Sequence, residues 1–182
     1  MPHSISLWFD EGTETAIREL WNELARSQIS SKFHDGPYRP HITLSIYEDL
    51  RVEEFLAALR SYADSRSQFP ITFESLGAFT GSTGSLFLAP RPTLRLLETQ
   101  REVASILADF GRGVTQAYYQ PEEWTPHCTL VVGVEPSKLS KAFDLCQSYK
   151  RPIQGIVNRI GIIKNPEEIE LHEIHFRGRK ST

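Results

Sequence analysis

Four things are scarce or missing in this sequence, and each closes off a class of protein. Cysteine occurs twice in 182 residues, at Cys128 and Cys146. That is too few for a disulfide framework and reads as two buried thiols in a reducing, cytoplasmic setting. Charge of one sign is not in excess: 20 Lys and Arg stand against 23 Asp and Glu, a formal net charge of -3. No global positive field draws the chain to a long polyanion, so long double-stranded nucleic acid is not an expected partner and any nucleic acid is met locally and is short. No run approaches the roughly 18 apolar residues of a membrane span, and the opening stretch MPHSISLWFDEGTE lacks a basic region followed by an apolar one. A soluble, unexported chain with no membrane partner is expected. Finally, no Gly-rich phosphate loop follows the first strand-to-helix turn, which argues against a doubly wound nucleotide fold.

What is there suffices for a core. With 40% apolar residues, a chain of this length buries about 70% of its unfolded surface and folds alone, as one domain over 1–182 or two small lobes, here expected as a monomer. Ser4 to Phe9 alternate as a strand, and Ile17, Leu20, Trp21, Leu24 and Ala25 follow helical spacing. After a loop over residues 28–40, HITLSIY reads as a strand, Val52, Phe55, Leu56, Leu59 and Tyr62 as a helix, and FPITFESLGAF as a strand. A turn over residues 81–84 leads to the strand SLFLAP and a helix over 93–110 that carries Leu94, Leu97, Leu107 and Phe110 inward. The loop GRGVTQAYYQPEEWTP, the strand HCTLVVGV, a helix from Pro136 to Tyr149 with Leu139, Phe143 and Cys146 on one side, and two strands within 152–177 complete the chain. Each half reads strand, helix, long loop, strand, helix, strand, as in a duplicated unit with approximate lobes 1–80 and 81–182 that could exchange strands. The expected class is α+β, with an antiparallel-dominated sheet in each lobe, helices outside, and a cleft between pseudo-symmetric lobes.

The two halves share more than an element order. PHITL occupies residues 40–44 and PHCTL residues 126–130, the only places where one of the six histidines has a threonine two positions on. Two H-x-T matches alone would be unremarkable, but with the preceding Pro and following Leu the chance expectation drops to about 0.002. The strand period of two puts His41 and Thr43 on one face and Ile42 and Leu44 on the other, and likewise His127 and Thr129 against Cys128 and Leu130. Each Pro can stand at the first residue of its strand, where no ladder N–H is needed. A pseudo-twofold would turn both polar faces toward a shared cleft.

These paired motifs, with GSLFLAPRPTLRLLETQREV between them, resemble the two-histidine (2H) phosphoesterases, and most closely the 2'-5' RNA ligase-like or cyclic phosphodiesterase-like branch. The resemblance covers the whole chain. It implies a bilobal α+β fold and metal-independent chemistry, with no cofactor, on 2',3'-cyclic or 2'-5' phosphodiesters of a nucleotide or short RNA end. By that likeness His41 and His127 are acid and base, and Thr43 and Thr129 bind phosphate oxygens. The groups themselves suit such work, because imidazole titrates at about 6.5 and can take a proton in one place and give one in the other. Hydroxyls can stabilise the charge that gathers on nonbridging oxygens. A zinc site is the rival, but hydroxyl is a poor zinc ligand and neither motif brings a carboxylate or thiol at ligand spacing on the face of its histidine, Cys128 pointing away from His127. A second functional class stays open: a nucleotide- or RNA-end-binding module that keeps the cleft with little turnover.

The loops before the motifs carry Phe33, Tyr38 and Arg39, and Tyr118, Tyr119 and Trp124. Of these, Arg39, Tyr119 and Trp124 are taken as substrate-binding, the arginine toward phosphate and the rings toward a base. His34, His172 and His175 read as solvated or packed, and His3 has no assigned role. Glu167, Glu168 and Glu170 read as a solvated turn and strand edge.

Overall fold

Alternation and helical spacing become strands and helices in the order the sequence implies. The computed structural model describes residues 1–79, 81, 83–149 and 152–178. Along them run β1 (His3–Phe9), α1 (Glu11–Arg26), the single-turn α2 (Lys32–Asp35), β2 (Ile42–Leu50), α3 (Val52–Ser65), β3 (Phe69–Phe79) and β4 (Gly84–Pro90). There follow α4 (Leu94–Leu107), β5 (Gly111–Val114), a 3-10 turn (Ala117–Tyr119), β6 (Cys128–Val134), α5 (Pro136–Ser148), β7 (Ile153–Lys164) and β8 (Ile169–His175). Ser82, in the expected turn, lies outside the described residues. No helix among the described residues is long and apolar enough to cross a membrane.

The class is α+β, and every pairing between these strands is antiparallel. The strand order is β5-β2-β1-β7-β3-β4-β6, with β8 also paired to β7. Set aside β5 and β8 and the order is symmetric: the first half contributes β1, β2 and β3, the second β4, β6 and β7, and the third strand of each half pairs with the first strand of the other. The seam is β7 against β3, Ile153–Val157 on Phe69–Phe73, while the rest of β7 pairs with β1. The motif strands β2 and β6 thereby occupy matching places in the two arms.

One face of the first arm is apolar. Ile5, Leu7 and Phe9 of β1, Ile42 and Leu44 of β2, and Ile160 and Ile162 of β7 are buried, as are Ile17, Leu20 and Leu24 of α1. Helix α1 starts where Asp10 caps it, one carboxylate oxygen accepting from the Thr13 N–H at 3.1 Å and the other from the Thr13 hydroxyl at 2.7 Å.

Two helices turn differently from their expected faces. In α4 the buried residues are Leu96, Thr99, Gln100, Val103 and Leu107, whereas Leu94 is 78% exposed and Leu97 also faces solvent. Thr93 caps this helix by accepting from the Leu96 N–H at 3.2 Å, and the three- and four-residue steps from Leu96 define the inward stripe. Phe110 lies beyond the helix end and packs on Phe55. In α5 Ala142 and Cys146 are buried while Phe143 is exposed, since it stands one residue, about 100°, round from Ala142. Strand β5 has no counterpart in the sequence pattern. It pairs with the end of β2, Val114 opposite Tyr47 and Gly111 opposite Leu50, and a Cβ on Gly111 would collide with the Tyr47 ring.

Candidate active site

His41 and His127 stand immediately before β2 and β6, and the backbone orients both rings alike. Nδ1 of His41 lies 2.7 Å from the carbonyl oxygen of Arg39, and Nδ1 of His127 lies 2.7 Å from that of Thr125. A carbonyl can only accept, so each Nδ1 carries the hydrogen and each Nε2 is the nitrogen left for chemistry. The neighbours Ile42, Leu44, Cys128 and Leu130 are buried on the apolar side, as a strand period of two requires.

The motif threonines are held by their main chains. Nε1 of Trp21, from α1 in the first half, donates to the carbonyl of Thr129 at 3.1 Å, and Nε1 of Trp124, from the second half, donates to that of Thr43 at 3.0 Å. Each half thus anchors the other half's motif. The buried amide of Gln100 on α4 donates to the carbonyls of Leu44 and Tyr119 at 3.3 and 3.0 Å, tying the loop before β6 to the motif strand β2. The Tyr119 ring lies 4.7 Å from that of Tyr118.

Two cavities meet at Thr129. One is lined by His41, Trp21, Lys32, Phe33, Tyr38, Cys128, Val132 and Glu168. The other, about 520 Å³, is lined by His127, Phe79, Phe87, Tyr118, Thr83, Ser85 and Val132. Thr129 and Val132 belong to both. Phe79 meets the His127 ring edge-on at 4.9 Å between centroids, Phe87 lies 5.3 Å from it, and Phe79 stacks on Tyr118 at 6.0 Å. Gly77 permits this arrangement, since a Cβ there would run into the Phe87 ring. Thr43 is buried and lines neither cavity.

Burial lowers the proton affinity of both imidazoles, and for His41 the charge of His127 lowers it further. In the free protein both rings therefore favour the neutral form more than an exposed histidine does. Burial pushes the Cys128 thiol up to about 12, so this residue is an inert wall rather than a nucleophile. Among the described residues no three His, Cys, Asp or Glu side chains are grouped to hold a metal ion.

The three residues expected to bind substrate are not at the cavity surface. The Arg39 guanidinium is held by Glu14 at 2.9 and 3.0 Å, by Glu173 at 2.5 Å and by Glu170 at 3.3 Å, and it lies over the Trp8 ring. With its donors already turned to carboxylates, it braces α1 against β8. Trp124 is buried and spends its indole N–H on Thr43, and Tyr119 is buried behind Thr43 while its neighbour Tyr118 faces the His127 cavity. Glu168, expected in a solvated turn, lines the His41 cavity instead. Phe79 and Phe87 belong to strands whose apolar residues read as core, and only the juxtaposition of β3 with β4 brings them to His127.

This is a duplicated α+β fold with one histidine at the head of each motif strand, and known proteins share it. Residues 13–168 match the family described as the 2'-5' RNA ligase superfamily. The chain belongs to that family, the two-histidine phosphoesterases that its sequence resembles. Among solved structures, TT0787 of Thermus thermophilus superposes with a TM-score of 0.62 at 17% identity, over 99% of this chain and 100% of that one. Escherichia coli LigT complexed with 3'-AMP gives 0.57 at 17% identity over 97% and 99%. Kluyveromyces marxianus Usb1, also solved with uridine monophosphate, gives 0.56 at 13% identity over 96% and 98%. No curated protein matches the chain in sequence at a significant level.

Proposed function

We propose that the protein is a metal-independent phosphodiesterase acting on a 2',3'-cyclic phosphate or 2'-5' phosphodiester of a nucleotide or short RNA end. The observation that carries this reading is the matched fixing of the two imidazoles, each Nδ1–H given to the carbonyl two residues earlier. Two side chains held in the same tautomer, on equivalent strands, at cavities that join at Thr129, form a proton-donating and proton-accepting pair around one phosphate. The neutral imidazole takes a proton from the attacking water, and the other, protonated, gives its proton to the departing ribose oxygen. Thr129 donates to a nonbridging phosphoryl oxygen, and Thr43 holds the equivalent place on the other strand. Both cavities offer aromatic walls suited to a nucleobase, Trp21, Phe33 and Tyr38 beside His41 and Phe79, Phe87 and Tyr118 beside His127, so a base can lie on either side of the phosphate. That LigT has been solved with 3'-AMP and Usb1 with uridine monophosphate supports a nucleotide ligand here.

The test is a screen of 2',3'-cyclic nucleotides and 2'-5' dinucleotides with EDTA-treated protein. Hydrolysis that persists in chelator is the expected result. Activity abolished by EDTA and restored by zinc or magnesium would overturn the metal-free mechanism, and tight nucleotide binding with no turnover on any ester would leave a binding module instead.

A further inference from the structure

The His41 cavity carries a group that a phosphate site would avoid. Glu168 lines it, half-buried, in the turn between β7 and β8 with a left-handed φ of 56°, and the Lys32 ammonium, which lines the same cavity, attracts it without forming a direct ion pair. Its position is fixed. The Asn165 side-chain amide, oriented so that its oxygen accepts from Ser4, donates to one Glu168 oxygen at 3.0 Å, and the Asn165 main chain is held by the Pro2 carbonyl at 2.9 Å. A carboxylate has about four acceptor sites, so Asn165 leaves most of them open. Burial also raises its proton affinity, a sign of a group kept from water.

A carboxylate with open acceptor sites repels the substrate's phosphate and calls for N–H or O–H donors. The rest of the cavity says which. Trp21 and Phe33 stack at 5.2 Å, Tyr38 closes edge-on at 4.7 Å from Phe33, and the Lys32 ammonium lies over the Phe33 and Tyr38 rings at 5.9 and 5.7 Å. Flat aromatic walls, a carboxylate and an ammonium match a planar ring with adjacent donors on one edge and acceptors on another. Guanine has that pattern: N1–H and N2–H₂ toward a carboxylate, O6 and N7 toward a cation. Adenine offers one donor beside an acceptor, cytosine the same, and uracil a single N–H.

Resting on the nucleotide-site reading above, the geometry points to Glu168 as the residue that selects guanine in the His41 cavity, with Lys32 as its complement. Glu168→Gln replaces one of two acceptors by a donor, which opposes guanine and suits the N6 and N1 edge of adenine. The change is close to isosteric, and its carbonyl can still accept from Asn165.

Calorimetry with 3'-GMP, 3'-IMP, 3'-AMP, 3'-CMP and 3'-UMP tests this without requiring turnover. The wild-type protein should bind 3'-GMP about 10- to 100-fold more tightly than 3'-AMP, and 3'-IMP, which lacks the N2 amine, should fall between. Glu168→Gln, shown folded by its thermal transition, should lose that preference and gain affinity for 3'-AMP relative to 3'-GMP. Binding of all five with equal affinity would overturn the guanine assignment while leaving the nucleotide site standing. Binding of none of them would overturn the nucleotide-site reading itself.

Discussion

The indole Nε1 of Trp124 donates to the main-chain carbonyl of Thr43 at 3.0 Å, across 81 residues of sequence. The acceptor lies on a motif strand and the donor is buried, so Trp124→Phe leaves a carbonyl without its partner in a place water does not reach. The expected cost is about 1–3 kcal/mol of stability, read by denaturant unfolding. Because the bond sets the motif backbone, kcat should fall more than KM rises. A variant with unchanged stability and only a raised KM would mean that the ring contacts substrate directly.

Replacing either histidine should leave the fold standing and remove the chemistry. His41→Ala and His127→Ala are each expected to lower turnover by about 10²-fold or more, with circular dichroism unchanged. The double variant should be little worse than the singles, since acid and base act as a unit. Near wild-type turnover in either single variant would break the paired assignment.

The lowered proton affinities of the two imidazoles set the pH dependence. For kcat/KM, which reports the free protein, the optimum should lie on the acid side of the ordinary histidine value of about 6.5. For kcat it should move toward higher pH, because a bound phosphate anion favours the protonated ring. Stability carries the same sign. Unfolded histidines bind protons first as the pH drops, so the contribution is complete above about 6.5 and is lost as pH falls through the lowered folded values. Rate profiles and thermal melts over pH 5 to 9 check both, and a kcat/KM still rising above pH 7 would contradict the assignment.

Arg39 should act on stability rather than on substrate. Arg39→Leu removes one of the two guanidinium groups on Glu14 and Glu173, leaving Arg159 at 2.9 and 3.6 Å, at a site where the Arg39 and Glu14 side chains are 15% and 12% exposed. Destabilisation of about 1–3 kcal/mol is expected, with KM for a cyclic nucleotide unchanged at a temperature where the variant is folded. A large KM increase in a stable variant would return the arginine to the substrate.

The sequence exposes those parts of the molecule whose signal is periodic or repeated. Strand β3 spans FPITFESLGAF as its alternation implies, and α1 and α3 follow their apolar stripes. His41, Thr43, His127 and Thr129 stand out because the same five-residue pattern opens two equivalent strands. Strand β5 escapes notice because GRGV has no alternating face, and its Gly111 serves the close approach to Tyr47 rather than any propensity for strand. Glu168 escapes because an acidic run in a turn looks solvated, while its placement depends on a left-handed backbone and on Asn165. Arg39 misleads for the converse reason: its loop suggests exposure, and three carboxylates remote in sequence decide otherwise.

The crossed third strands have a consequence for how the two histidines come to differ. A chain holding one repeat alone would offer its first strand an edge that only the third strand of another copy completes, so the topology is that of an isologous dimer joined into one polypeptide. In a true dimer the two imidazoles would be equivalent by symmetry, and neither could be acid in preference to base. Fusion removes that constraint. Strand β5 extends only one arm, β8 lies beside only one half of β7, and of the two cavities only that of His41 is lined by a carboxylate, so an acid–base division between two identical side chains would rest on these departures from symmetry.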